Sequence, residues 1–173
     1  MSSPITIKRS TPFIPLFCYL FISLFLIACD KTEVENQTEK PKAILMLSDE
    51  NIEQFTSSFS QDYLTALNAL VKGFHAYRKA DDSFGFVQFR NHKWTPIYIE
   101  KKNDYHAIQQ HNSSYISKQP VAPLFTAFEN MIFHGLALKN ALLDNDASLI
   151  EETLLAIEKD QKIVINIANS IEH

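Results

Sequence analysis

Residues 52–80, IEQFTSSFSQDYLTALNALVKGFHAYRKA, decide the fold. Apolar or aromatic side chains recur at Ile52, Phe55, Phe59, Tyr63, Leu67, Leu70, Phe74 and Tyr77, in steps of three and four. That spacing returns to one face of a 3.6-residue helix at every turn, so it predicts a single amphipathic helix with a continuous buried stripe. Leu47 precedes Ser48, and Asp49 and Glu50 follow. Ser48 therefore reads as the N-cap, the two acids as partners of the helix dipole, and Leu47 with Ile52 as a hydrophobic staple. Counted from that cap, the helix reaches about Ala80 and measures roughly 48 Å.

Downstream, the same period continues with interruptions. Phe84, Val87, Trp94, Tyr98, Tyr105, Ile108 and Tyr115 keep a helical stripe if Asn91, Lys101 and Asn112 occupy skipped positions. Pro96 falls inside this run, where it removes a hydrogen bond and favours a kink or a fresh start with Thr95 as N-cap and Pro96 at N1. A small hairpin competes for the same residues, with Phe84–Phe89 and Thr95–Glu100 as strands around Asn91-His92-Lys93. Pro120 and Pro123 then punctuate the chain. Leu124, Phe128, Met131, Gly135, Leu138 and Leu142 form a third stripe, which ends at the polar turn Asp144-Asn145-Asp146. Ser148 with Glu151 offers a capping box, and Ile150, Leu154, Ile157, Val164, Ile167 and Ile171 carry a fourth. Short loops between long amphipathic helices predict antiparallel neighbours, hence an all-α, up-down-up-down four-helix bundle over 43–173. Gly73 before Asp81 and Gly135 before Asp144 form a faint internal echo, but the tryptophan, alanine and proline positions of a tetratricopeptide repeat do not line up.

Composition sets the outer limits. The chain has 173 residues, 46% of them hydrophobic and 21% charged, the profile of a globular domain. Its three glycines are too few and too scattered for a phosphate-cradling loop. A net charge of −4 is a poor basis for binding nucleic acid.

The first 29 residues carry an address. Lys8 and Arg9 are their only charges, Phe13 to Ala28 is an apolar run, and Leu26-Ile27-Ala28-Cys29 closes it. A basic start, an apolar stretch and small residues at its end read as a secretory signal. Leu26, Ile27, Ala28 and Cys29 resemble the lipobox of bacterial lipoprotein precursors. The resemblance implies that Leu26, Ile27 and Ala28 are the signal peptidase recognition residues and that 1–28 are removed. It further implies that Cys29 becomes the lipidated first residue, diacylated on sulfur and often acylated on nitrogen. Thiolate nucleophilicity suits this chemistry, and two acyl chains hold a protein to a bilayer far more firmly than one. In the lipoproteins it resembles, an aspartate after the cysteine can retain the protein in the inner membrane. Asp30 stands there, but Lys31 weakens that signal, so the choice of membrane stays open.

Removal of 1–28 leaves 14 basic against 20 acidic residues, a net charge of −6. Cys18 departs with the signal and Cys29 carries lipid, so a fold in an oxidising compartment must stand without disulfides. Residues 29–42 form the lipidated cysteine and a tether: Asp30–Lys42 contains one aliphatic residue, Val34, and cannot offset its ordering entropy by burial. Its span is about 45 Å fully extended.

Chemistry-bearing patterns are sparse. His75 and His134 lie on two helices that run parallel in the expected bundle, yet the motifs for di-iron, covalent haem and zinc-protease sites do not occur. His106 and His111 point about 140° apart on a helix and read as solvated. Asp81-Asp82 and Glu151-Glu152 suit capping better than acid–base work, because neighbours on a helix diverge. These observations give no catalytic residue, no metal site and no cofactor.

Surface character is more informative. Residues 72–118 hold eight basic and four acidic side chains, whereas 144–173 hold two basic and seven acidic. Phe86 and Phe89 fall off the expected stripe beside Arg90, Lys93 and Trp94, a mixture suited to contact with an envelope protein partner. The basic stretch otherwise reads as solvated and drawn to the acidic last helix. Together these features describe a small lipoprotein of the cell envelope, facing the periplasm and acting by binding or scaffolding without catalysis. The other reading is a bundle that holds a cofactor, metal or apolar ligand in its core.

Overall fold

The chain divides into the units Met1–Lys42 and Ala43–His173. The computed structural model describes residues 43–171. The segment 1–28 expected to be a signal, with Leu26, Ile27 and Ala28, and the stretch 29–42 expected to be a lipidated Cys29 and tether, lie outside the described residues. Within the described residues every regular element is helical: α1 (Ile52–Lys79), α2 (Ser83–Phe89), a π-helical turn (Arg90–Trp94), α3 (Thr95–His111), α4 (Ser113–Ile116), α5 (Ala122–Leu143) and α6 (Ala147–Ile171). The hairpin alternative for 84–100 is thereby excluded. No described helix is long and apolar enough to cross a membrane.

The α1 stripe is buried as its spacing requires. Phe59, Tyr63, Leu70 and Phe74 are fully enclosed, and Phe55 and Leu67 nearly so. Its start differs from expectation. Ser48 does not cap with its side chain; instead its N–H donates to Asn51 Oδ1 (2.9 Å), and Asn51 Nδ2 donates to the Met46 carbonyl (2.9 Å). Asn112 completes this junction from the far end of α3. Its Oδ1 accepts from Leu47 N–H (2.7 Å), and its Nδ2 donates to the Leu45 and Ile108 carbonyls. A buried amide with both ends satisfied thus fastens the chain entering α1 onto α3.

The α2–α3 run continues through Pro96 by widening one turn. Thr95 N–H donates to the Arg90 carbonyl, five residues back, so Thr95 is helical and does not act as a cap. The extra residue accommodates a proline that has no N–H to give and crowds the preceding turn of a regular α-helix. It also moves the upstream buried face by one position. An unbroken helix ending on Trp94 and Tyr98 turns Asn91 and Val87 inward; with the inserted residue, Arg90 and Phe86 take those places and are buried. Phe84, the expected stripe residue, is 67% exposed.

Two corners use one device. Asp81 and Asn145 adopt the left-handed conformation (φ 54° in each), a state open to these short polar side chains. Asp82 N–H then reaches the Tyr77 carbonyl (3.0 Å) and Asp146 N–H the Ala141 carbonyl (2.9 Å), closing the preceding helix. The same two aspartates cap the next helix, accepting from Gly85 N–H (2.7 Å) and Leu149 N–H (3.0 Å). The cap of α6 is therefore Asp146, two residues earlier than the Ser148 of the box expected at Ser148 and Glu151.

α1 and α5 form the central pair, each touching the other, α2 and α6; α3 packs on α5. One apolar cluster runs from Leu47 to Val164. Its aromatic centre surrounds Phe59, whose ring lies 4.1 Å from Tyr105, 5.1 Å from Phe125 and 5.4 Å from Phe128. Trp94, Tyr98 and Phe128 stack in series at 5.0 and 5.4 Å, nearly parallel. Such pairs add about 0.5–1.5 kcal/mol each beyond their buried area.

The capping assignment predicts that Asp146→Ala lowers unfolding free energy by about 1 kcal/mol, whereas Ser148→Ala changes it by less than about 0.5 kcal/mol in urea titrations. Alkaline stability offers a second check. The Tyr98 hydroxyl donates to the Phe128 carbonyl (2.9 Å), and burial, then the negative charge of Glu129, pushes its pKa up to about 12. Tyr63 and Tyr105 shift in the same direction, mainly through burial. Unfolded tyrosine ionises near pH 10, so these contributions are complete below about pH 10 and are lost as pH rises toward the folded-state values. The urea midpoint is expected to fall steeply above about pH 10, with a shallower fall in Tyr98→Phe.

Candidate binding groove

Between α1 and the segment formed by the π turn and α3 runs a groove of about 260 Å³. Its α1 wall is built from Thr65, Ala66 and Ala69, small residues beside the aromatic stripe; the opposite wall is Phe89, Trp94, Ile97 and Tyr98. The lining is almost wholly apolar, and Ile97 is 65% exposed. A larger hollow of about 430 Å³, where Arg78 faces Glu151 and Glu158, is shallower and mixes charges with apolar groups, so it presents less enclosed apolar surface.

The walls are held at fixed positions. Trp94 Nε1 donates to the Ala66 carbonyl across the groove floor (2.9 Å). Phe89 seats its ring over Gly73, where a methyl group would collide with the ring carbons. At the other end Lys101 pairs with Asp62 (2.7 Å), which also accepts from the Tyr105 hydroxyl (2.8 Å). Thus Lys101 of the basic stretch is paired with α1, not with the acidic last helix.

The five residues expected to contact a partner separate into different roles. Phe86 is fully buried against Phe74 (5.6 Å) and belongs to the core, a correction that follows from the register shift at the π turn. Arg90 is also buried: its guanidinium reaches Asn91 Oδ1 (2.9 Å), its Nε has no hydrogen-bond partner, and burial lowers its pKa. It packs over Gly135, where an added methyl would stand 3.3 Å from Arg90 Nε and 3.4 Å from the Trp94 ring. Trp94 is 4% exposed but lends one face to the groove; Phe89 is partly buried in its wall, and Lys93 is exposed on its rim.

Among the described residues the histidines do not form a common site. His134 Nε2 donates to Asp160 Oδ2 (2.9 Å), and Asn130 Nδ2 donates to the same oxygen (3.1 Å). The carboxylate accepts both bonds and so fixes the proton on Nε2. His75 is exposed beside Phe74, and His106 and His111 are exposed on α3. No group of three metal-ligating side chains occurs among the described residues.

The small-residue wall went unread in the sequence because Thr65, Ala66 and Ala69 carry no functional group. Their signal is positional: with Asp62 they form a second, small-residue stripe beside the aromatic one. Gly73→Ala is expected to displace Phe89 and lower stability by about 1–3 kcal/mol, measured by urea unfolding, with a change in Trp94 emission as the groove end loosens. No protein-family model, curated protein or solved structure matches the chain.

Proposed function

We propose that this chain is a small lipoprotein of the cell envelope that acts by binding, without catalysis, through the groove between α1 and α3. Leu26-Ile27-Ala28-Cys29, after a basic start and an apolar run, supports lipid attachment at Cys29 and a location on a membrane facing the periplasm. In this reading the four long helical segments α1, α2–α3, α5 and α6 run up-down-up-down as a bundle, and the envelope partner meets the face that carries Lys93, Trp94 and Ile97.

The observation that carries the binding reading is the apolar groove itself. Large side chains fill the centre of the fold, with Phe59, Tyr63, Phe74 and Phe128 between 0 and 2% exposed, whereas Ile97 and the Trp94 face stand at a concavity. Concave apolar surface with few polar groups is the usual form of a ligand site. The same packing moves the reading of an apolar ligand from the core to this groove.

Mass spectrometry of the mature protein should show loss of residues 1–28 and a diacylglyceryl adduct on Cys29 that disappears in Cys29→Ala; an unshortened, unmodified wild-type chain overturns the anchor. For the binding face, a photo-crosslinker at Ile97 should capture a component in cells that one at Leu155, exposed on α6, does not. Ala69→Phe should abolish that capture, and equal capture in all three proteins overturns the groove.

A further inference from the structure

α5 buries one face in the core through Leu124, Phe128, Met131 and Leu138, yet its outer face is not polar. Glu129 and Lys139 are its only Asp, Glu, Lys or Arg residues in 22 positions. A helix apolar all round is normally covered on every side. Here Thr126, Glu129, Phe133, Leu136, Asn140 and Leu143 follow one another in steps of three and four, and all six are exposed. Phe133 is 65% exposed, Leu143 51% and Leu136 40%. Alternate steps of three and four are the spacing of a coiled-coil seam, and this seam faces water. Neither charge on it is satisfied internally. The Glu129 carboxylate and the Lys139 ammonium make no ion pair among the described residues, although Lys102 lines the small hollow beside Glu129.

We propose that the outer face of α5 binds a second copy of this chain, as an antiparallel helix pair about a two-fold axis. The occupant follows from the order of residues along the seam. Setting Phe133 level with the partner's Leu136 brings Glu129 level with the partner's Asn140 and beside its Lys139, while Thr126 meets the partner's Leu143. One register therefore joins apolar to apolar and acid to base, and the two-fold makes each of these contacts twice. A face that completes itself on rotation is what an isologous contact requires. Parallel pairing fails the same test, because it opposes Glu129 to its own copy inside the seam. Asn140, a lone amide at a seam position, disfavours slipped registers. The proposal stands apart from the groove, none of whose lining residues lies on α5.

Sedimentation equilibrium of the full-length protein as isolated from cells, in detergent matched to the solvent density, tests the pair. The range is about 1–200 μM, which brackets the weak affinity of a seam one helix wide. A reversible monomer–dimer equilibrium is expected. Phe133→Asp should weaken it at least about thirtyfold, with thermal unfolding unchanged because the side chain lies outside the core. Glu129→Lys and Lys139→Glu should each weaken it about tenfold. An equal mixture of those two variants should dimerise as the wild type does, since each supplies the charge that the other lost. Direction is read by oxidative cross-linking with peptide mapping. Thr126→Cys chains should bond to Leu143→Cys chains and not to one another, because antiparallel pairing holds the two copies of position 126 about 25 Å apart along the axis. A wild type that stays monomeric throughout, a dimer indifferent to Phe133→Asp, or a bond between two copies of position 126 overturns the proposal. Ala69→Phe in the groove should dimerise normally; loss of the dimer there moves self-association to the groove and overturns the α5 face.

Discussion

One hydrogen bond, from Thr95 N–H back five residues to the Arg90 carbonyl, sets the register on which much of the molecule depends. It inserts a residue into a helix that otherwise turns Phe84, Val87 and Asn91 toward α1 and α5. With the insertion, Phe86, Arg90, Trp94 and Tyr98 share one face at intervals of four. In a regular α-helix four residues overshoot a full turn by about 40° per step, and the wider turn absorbs part of that drift. Pro96 fits the same distortion because it has no N–H to contribute. The Trp94 bond to Ala66, the Phe86 contact with Phe74 and the stack onto Phe128 all follow from this alignment.

α5 receives that face through size matching. Gly135 leaves room for Arg90, Trp94 and Leu70, each within 3.3–3.5 Å of where its side chain would begin. Burying Arg90 costs free energy, since its Nε is left unpaired, and the neighbouring aromatic packing offsets that cost. Toward α1 the matching is incomplete. Thr65, Ala66 and Ala69 are too short to meet Phe89, Trp94 and Ile97 along the whole contact, and the space left over is the groove. The candidate site is thus a by-product of small residues opposite large ones on helices whose spacing is set elsewhere.

The α1 stripe, the α5 stripe and most of the α6 stripe were legible in the sequence because 3.6-residue periodicity depends on residue type alone. Helix starts were less so. Ser48 and Ser148 matched cap patterns, yet Asn51 and Asp146 formed the local hydrogen bonds, because several short polar side chains stood near each end and sequence spacing does not choose among them. The face of α2 was misplaced by one residue, which exchanged core and surface for Phe86 and Phe84. Pro96 was the visible warning of that shift; its direction was not visible. Asp160 escaped notice as a buried residue because a charge on an apolar stripe reads as a gap. The groove needed three dimensions: Phe89, Lys93 and Trp94 were singled out from sequence, but their opposite wall lies twenty or more residues earlier.

The buried carboxylate of Asp160 has a mechanical meaning. It is 9% exposed and accepts from both His134 and Asn130, which sit one turn apart on the neighbouring helix. Apolar surfaces tolerate sliding, since one methyl-lined turn resembles the next. A carboxylate with two designated donors does not: displacement of α6 along α5 by a single 5.4 Å pitch takes the buried charge out of reach of at least one of them. The pair works as a vernier, allowing one axial setting of the terminal helix and making neighbouring settings expensive.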